Sequence, residues 1–442
     1  MHANLSFDQA PPISAPFRFF LTAPWFGALA GVVLTVTGAD ALGSRWTPVA
    51  LALTHLMVVG FMLQAMCGAV LQFVPVAAGA NIWRPLWVAR AIHPLLALAA
   101  LALAGGLLWQ SPDWLSAAIV LFTLAIGVFV GVTTWGLWRT PAGGATLWAL
   151  RIAVLALAVT VVLGVWLAEI LARGGSAPLL EIAAVHLSWG LGGWAGVLLA
   201  GVSYAVVPMF QLTRPYPRWL AQGFAPATMA LLTLTAWQRL SGATWGLDAA
   251  TGGLLALAAA YAGVTLRLQY TRRRKTIDTT FRLFRVGMVS LLACVVLTGL
   301  QTFLPTTFAD PRYAVATGVL AIAGTFVSVI NGMMYKIMPF LNWLHLQRLG
   351  ASLAEIPNMK NMISERAMLW QYRLHLLAVG LLLLALVAPP LTRAAGLCLT
   401  ASFVWLAWNL TSAARRYRQF KMQIHPKIQP FTARTRASGA DS

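Results

Sequence analysis

Residues 186–208 read HLSWGLGGWAGVLLAGVSYAVVP. This stretch is long enough to cross a bilayer, carries no charged residue and begins with a histidine. On a helix of about 100° per residue, one quarter-turn of the surface holds the histidine, three glycines and the proline: His186, Gly190, Gly193, Gly201 and Pro208. Small residues along one stripe let a neighbouring helix, or a flat ligand, approach the backbone closely. The stretch therefore predicts a membrane helix with an imidazole near one end.

The ending of this stretch, a glycine followed by a proline seven positions later, recurs inside apolar runs at residues 68–75 and 332–339, in addition to 201–208. The glycines are 133 and 131 residues apart. In the second and third copies a tyrosine stands three residues after the glycine, at Tyr204 and Tyr335. This near-constant spacing predicts a threefold internal repeat.

The composition is that of a membrane protein. The chain has 442 residues, of which 59% are hydrophobic and only 10% are charged. Such a composition indicates a polytopic membrane protein and not a soluble one with a large core. The three cysteines, Cys67, Cys294 and Cys398, stand alone in apolar runs. Neither a disulfide framework nor a thiolate metal site is therefore expected.

Apolar windows of 18 or more residues predict twelve spans. They lie at about 20–40, 48–77, 86–109, 115–137, 147–171, 179–209, 221–238, 246–266, 284–304, 313–340, 369–389 and 394–412. The predicted fold is all-α: one membrane domain, residues 1–442, with twelve transmembrane helices in three four-helix repeats. The repeats cover about 20–137, 147–266 and 284–412, and a basic cytoplasmic tail follows at 413–442. Spans 2, 6 and 10 are expected to be the inner helices.

Lysine and arginine set the expected orientation. The formal net charge is +20. Of 31 Lys and Arg, 25 fall in the termini and the even-to-odd loops, five fall in the other loops, and Lys336 lies within a span. Cytoplasmic loops collect positive charge, so both termini are expected in the cytoplasm, with the chain in a bacterial-type inner membrane. The charge is then topological, which argues against a nucleic-acid partner and for contact with membrane lipid.

Two of the seven histidines lie a few residues inside predicted inner spans: His55 and His186. Burying an imidazole in lipid costs free energy unless it is paired, so both are candidates for a functional role. A neutral imidazole is a good ligand for haem iron or copper. The alternative is that each is structural and hydrogen-bonds to a neighbouring helix. His55 precedes the glycine of its repeat by 13 residues, and His186 precedes its own by 15. On ideal helices, these offsets point the two side chains in different directions relative to the glycines.

Other polar and aromatic residues allow two interpretations each. Lys336 lies one turn before the third proline, where a lysine ordinarily extends to the interface; a role in a proton or anion path is the alternative. Trp189 and Trp194 would line a ring-shaped ligand or face lipid. Three other histidines, His93, His345 and His375, fall at predicted cytoplasmic span ends or loops, where an imidazole is expected to be solvated.

At these residues the chain resembles the haem-copper oxidase catalytic-subunit superfamily, and within it the oxidase-like relatives that include the NnrS family. The second-span pattern is carried by His55, Gly60, Phe61, Gly68 and Pro75. The sixth-span pattern is carried by His186, Gly190, Trp194, Gly201, Tyr204, Pro208, Met209 and Phe210. The tenth-span pattern is carried by Gly332, Tyr335, Lys336, Pro339 and Phe340. The resemblance implies twelve helices in three arcs of four.

The resemblance also implies metal ligands, and here the chain departs from the family. His55 matches the second-span haem ligand, and His186 approximately matches the sixth-span copper ligand. Predicted spans 313–340 and 221–238, which supply the remaining ligands in the family, contain no histidine. A complete oxygen- or nitric oxide-reducing centre is therefore not expected.

The resulting prediction is a haem- or copper-binding membrane protein of respiratory or nitrosative metabolism, or of metal handling, with a membrane or electron-transfer partner. Two alternatives stay open at this point: a small-solute transporter, and a non-catalytic membrane assembly protein.

Overall fold

The computed structural model describes residues 9–140, 143–243, 246–273, 276–349 and 356–437. Within these ranges the regular structure is helical, with twelve long helices. The first six are α1 (Ser14–Thr37), α2 (Pro48–His55 continued by Leu56–Leu63 and Gln64–Ala78), α3 (Pro85–Leu108), α4 (Pro112–Arg139), α5 (Ala145–Arg173) and α6 (Leu179–Ser188 continued by Trp189–Gly196 and Val197–Gln211). The others are α7 (Arg218–Ser241), α8 (Leu247–Tyr270), α9 (Thr279–Phe303), α10 (Pro311–Val319 continued by Leu320–Val327 and Ser328–Arg348), α11 (Glu365–Ala385) and α12 (Thr392–Ala437).

Eleven helices in the described ranges are long and apolar enough to cross a membrane. The prediction of an all-α, polytopic membrane protein is therefore confirmed. Helix α7, which corresponds to the predicted span 221–238, is not among the eleven. It has 24 residues but carries Gln222, Thr228 and Gln238 within its length. The count of twelve spans stays a prediction. Helix α12 continues past residue 413, where the tail was expected to begin, and residues 438–442 of that predicted tail lie outside the described ranges.

Three helices contain a π-helical turn in the middle of an otherwise α-helical rod. The π turns are Leu56–Leu63 in α2, Trp189–Gly196 in α6 and Leu320–Val327 in α10. Their first residues are 133 and 131 positions apart, which is the spacing of the three motif glycines. A π turn widens the helix and changes the direction of the side chains that follow it, and such turns are frequent at functional sites.

The three motif glycines let each of these helices pack closely on the helix that begins its predicted repeat. A Cβ atom built on any of them would lie within 3.1 Å of that helix: Gly68 against Pro16 on α1, Gly201 against Ala149 on α5, and Gly332 against Thr280 on α9. Pro16, Ala149 and Thr280, which are among the residues that these glycines approach, are again 133 and 131 positions apart. Glycine is needed here because a side chain would push the two backbones apart.

The first and last helices close the bundle. Helix α12 packs along α1, as α5 packs along α4 and α9 packs along α8. The α1–α12 crossing is held by Gly31 and Gly396: a Cβ at Gly31 would lie 2.5 Å from the Thr400 nitrogen and 2.8 Å from the Gly396 carbonyl oxygen. Helix α2 is the most enclosed of the membrane-competent helices, with 78% of its most apolar window buried, against 28% for α4 and α5. The π turns of α2 and α10 contact each other inside the bundle.

The α1–α12 crossing can be tested with Gly31→Ala. The added methyl group must displace backbone atoms of α12, so we expect a loss of about 1–3 kcal/mol in stability, seen as a lower unfolding temperature in detergent. The matched control is Gly127→Ala on α4, where an added Cβ meets no atom within 4 Å. Equal unfolding temperatures for the two variants would contradict this packing.

Candidate functional site

The two histidines that the sequence singles out lie side by side. His55 is the last residue before the π turn of α2, and His186 stands three residues before the π turn of α6. Their ring centres are 6.5 Å apart and their planes are inclined by 20°. The two histidines stand at different offsets from their motif glycines, 13 and 15 residues, and their rings are nevertheless adjacent. Because the rings come from two different helices, they can meet without occupying equivalent positions in the repeats.

A backbone carbonyl orients each imidazole. His55 Nδ1 lies 2.7 Å from the Leu51 carbonyl oxygen, one turn earlier in α2. His186 Nδ1 lies 2.9 Å from the Thr160 carbonyl oxygen on α5. Because a carbonyl oxygen only accepts hydrogen bonds, each Nδ1 is the donor and carries the proton. The Nε2 atom of each neutral ring then keeps its lone pair, and within the described part of the chain neither Nε2 has a hydrogen-bond partner.

Glycines on α5 and α6 make room for the His186 ring. A Cβ atom at Gly164 would lie 2.9 Å from Cε1 of His186. A Cβ atom at Gly190 would lie 3.2 Å from the Thr160 methyl group, beside the carbonyl that holds the ring. Gly164 therefore sets how closely α5 approaches the imidazole. Both histidine side chains are half-buried.

Two tryptophans of the α6 π turn are interior groups. Trp189 and Trp194 are 7% and 5% exposed, so neither faces lipid. Trp194 meets the Phe129 ring edge-on, with 6.5 Å between ring centres. Neither indole Nε1 has an acceptor among the residues that the structure describes. The π turn that follows His186 thus carries two buried N–H donors that no described residue accepts from.

Lys336 is held in an ion pair. Its Nζ lies 3.2 Å from Oδ2 of Asp278, which also caps the start of α9 by accepting a hydrogen bond from the Phe281 nitrogen at 2.9 Å. Burial raises the pKa of Asp278, but Lys336 and the hydrogen bonds from Phe281 and Thr280 lower it more. The net result is a pKa below the ordinary value for aspartate. The pair ties the first turn of α9 to α10, which is a structural role for Lys336.

The two motif tyrosines lie far from the histidine pair. Tyr204 is 18 residues beyond His186 on α6, which is about 27 Å along the helix. Its hydroxyl lies 3.5 Å from the Leu220 carbonyl oxygen. Tyr335 on α10 is buried, and its hydroxyl accepts a hydrogen bond from Asn409 Nδ2 at 2.9 Å. Both tyrosines therefore join helices and do not contribute to a site around the imidazoles.

A buried histidine that the sequence interpretation assigned to solvent lies on α11. His375 is 0% exposed, and its Nε2 lies 2.8 Å from Oγ of Ser328, the first residue after the α10 π turn. Its Nδ1 has no partner within the described ranges. The expectation of a solvated imidazole is wrong because α11 begins at Glu365, which places His375 ten residues, about 15 Å, along the helix. The signal available in the sequence was Gln371, one turn away on the same helix face.

The histidine pair is a two-ligand site. No group of three or more His, Cys, Asp or Glu residues close enough to hold a metal ion occurs in the parts of the chain that the structure describes. Comparison of the chain with protein-family models and with curated proteins finds no match to either. What the site does is therefore argued from its own geometry.

The role of Lys336 can be tested with Lys336→Gln. Asp278 has a lowered pKa, so the stabilisation from its ion pair is fully present above the ordinary aspartate value of about 3.9 and is lost as the pH falls through the lowered value. We expect the variant to be about 1 kcal/mol less stable than the unmodified protein at neutral pH, with the difference closing in that acidic range. The measurement is unfolding in detergent across that pH range.

The matched control for Lys336→Gln is Arg312→Gln, which removes a more exposed ion pair with Asp310. We expect that change to have an effect close to zero. A Lys336→Gln protein as stable as the unmodified one at neutral pH would contradict the structural role.

Proposed function

We propose that this integral membrane protein holds a metal centre, a haem iron or a copper ion, between His55 on α2 and His186 on α6. The observation that carries the proposal is the juxtaposition itself. Two imidazoles from distant parts of the sequence lie with their ring centres 6.5 Å apart and their planes nearly parallel. Chance pairing of two polar rings inside a membrane bundle is disfavoured, because each must leave water to reach that position.

The protonation pattern supports the assignment. In metal sites a ligating histidine usually donates its other ring N–H to a carbonyl or carboxylate, which fixes the ring and raises its basicity. His55 and His186 both have this arrangement, through the carbonyls of Leu51 and Thr160.

The spacing of the rings also fits a shared metal. Metal–nitrogen bonds to imidazole are about 2.0–2.1 Å long, so one ion held by both side chains would need the two rings close together. The separation in this protein is 6.5 Å. Two neutral nitrogen ligands suit haem iron and copper better than they suit a hard cation such as Mg²⁺, which takes oxygen ligands.

The residues around the pair would hold and orient the group. The Leu51 and Thr160 carbonyls keep each ring in one tautomer, and Gly164 lets α5 come close to the His186 ring. Haem or copper, when bound, would supply one-electron chemistry. With both imidazoles as ligands, the site suits electron transfer; with one, a position is left for a small gas. We place this role in respiratory or nitrosative metabolism or in metal handling, as the resemblance to the oxidase-like proteins implies.

We infer further that the chain is a triplication of a four-helix unit: α1–α4, α5–α8 and α9–α12. Three features share the spacing of 133 and 131 residues: the motif glycines, the first residues of the π turns, and Pro16, Ala149 and Thr280 among the residues that the glycines approach. The last helix of each unit packs along the first helix of the next, and α12 along α1. The charge bias of the loops supports an inner-membrane location with both termini in the cytoplasm.

The metal centre is tested by purifying the protein from membranes in mild detergent, recording its absorption spectrum oxidised and reduced, and measuring bound iron and copper. We expect a haem Soret band or about one copper per chain. His55→Ala and His186→Ala should each remove most of the bound metal. The control is His93→Ala, whose ring bonds to Thr22 and stands apart from the pair. A colourless, metal-free protein from copper- and haem-replete cells would overturn the proposal and favour a transporter or an assembly protein.

A second variant separates ligation from folding. Gly164→Ala puts a methyl group against the His186 ring without removing a ligand. We expect it to keep the metal but to shift the Soret maximum, or to weaken copper binding about tenfold, because outer-shell changes typically cost 10–100-fold in affinity. An unchanged spectrum and affinity would argue against His186 as a ligand.

A further inference from the structure

A groove between α9 and α11 opens on the membrane-facing surface of the third helical unit, with a volume of about 480 Å³. Two contacts join the start of α9 to neighbouring helices: Thr279, the first residue of α9, bonds to Glu365, the first residue of α11, and Lys336 of α10 reaches Asp278. Among its lining residues are Phe281, Arg282, Arg285, Val286, Val289 and Tyr372. The groove is unrelated to the histidine pair and does not depend on the metal centre.

Two arginines give the groove a positive end. Arg282 and Arg285 are one turn apart on α9 and both are exposed. Neither forms an ion pair with an acidic residue in the described ranges. The nearest carboxylates are already engaged, Glu365 with Thr279 and Asp278 with Lys336. The groove therefore carries positive charge that no acidic residue of the described ranges neutralises.

The position of these arginines makes an anionic partner favourable. They lie in the first two turns of α9, where the helix dipole is positive and cations are disfavoured. An anion bound between them would be attracted by both guanidinium groups and by the helix terminus. Arginine also matches the geometry of a phosphate group, to which it donates two parallel hydrogen bonds.

The rest of the groove is apolar. Val286 and Val289 follow the arginines on the same face of α9, and Val289 is 53% exposed. From Arg282 to Val289 the helix advances about 10 Å, which is the distance from a phosphate headgroup to the upper part of its acyl chain. Tyr372 forms the wall on α11. Charge at one end and an exposed aliphatic surface at the other reproduce the amphipathic order of a phospholipid.

We propose that this groove binds one anionic phospholipid, with its phosphate between Arg282 and Arg285 and an acyl chain along Val286 and Val289. A zwitterionic lipid would bring its own cation and would gain less from two unneutralised arginines. A free phosphate would use the arginines but would leave the valines exposed. The occupant also neutralises the start of α9, and so it stabilises the α9–α11 contact.

The experiment is native mass spectrometry of the full-length protein in detergent, titrated with phosphatidylglycerol or with phosphatidylcholine. The test variant is Arg282→Gln/Arg285→Gln. The control is Arg214→Gln/Arg218→Gln, which removes the same charge from two exposed arginines, one in the loop before α7 and one at its first residue. We expect the first phosphatidylglycerol to bind at least about tenfold more weakly to the test variant and with unchanged affinity to the control. Equal binding by both double variants would overturn the proposal.

Two further arms distinguish the source of the phosphate. Val289→Trp fills the apolar part of the groove while keeping both arginines, and we expect it to weaken phosphatidylglycerol binding by a similar factor. Inorganic phosphate at millimolar concentration should not displace the lipid. Unchanged binding by Val289→Trp, full competition by inorganic phosphate, or equal affinity for phosphatidylcholine would each overturn the assignment to an anionic lipid.

Discussion

Close contact between helices at residues without side chains is the constraint on which the rest of this bundle depends. Between helices in lipid there is little hydrophobic driving force, so association comes from van der Waals contact and from hydrogen bonds. The α1–α12 crossing at Gly31 and Gly396 closes the chain on itself. Gly68, Gly201 and Gly332 hold α2, α6 and α10 against the helices that begin each unit. Helices fixed at that distance bring side chains from distant parts of the sequence into contact, and the histidine pair is the clearest result.

The π turns are a second feature that α2, α6 and α10 share. Each of the three helices that carry one places an imidazole beside it, although by different routes. His55 and His186 precede the π turns on their own helices, whereas in the third unit Ser328 follows the π turn and bonds to His375 on α11. A π turn is a strained, wider turn that persists only where the surroundings support it. The π turn recurs at the same position in three helices, and in each case a histidine lies next to it. Backbone distortion and interior polar groups therefore occur together in this protein.

Much of the architecture was accessible from the sequence because hydropathy and glycine spacing report helix position directly. The predicted spans fall on the observed helices, and His55 and His186 were identified because an imidazole inside an apolar run is costly. Their contact was not predictable, because it depends on which helices adjoin. The π turns were not predictable either, since a changed hydrogen-bond register leaves no mark in hydropathy. His375 was misplaced because the predicted span begins at residue 369, which puts this histidine near its end, whereas α11 begins four residues earlier at Glu365.

The interior of the bundle argues for a function beyond packing. Gln64, which directly follows the α2 π turn, and Asn331, four residues after the α10 π turn, are both 0% exposed. Neither amide has a partner for its oxygen or nitrogen among the described residues. Each buried polar atom without a partner lowers the stability of the fold by about 1–3 kcal/mol, and an apolar side chain of the same size carries no such desolvation penalty. A bundle shaped only for stability would carry leucine at both positions. Stability alone therefore does not account for the polar side chains at these two positions of the inner helices.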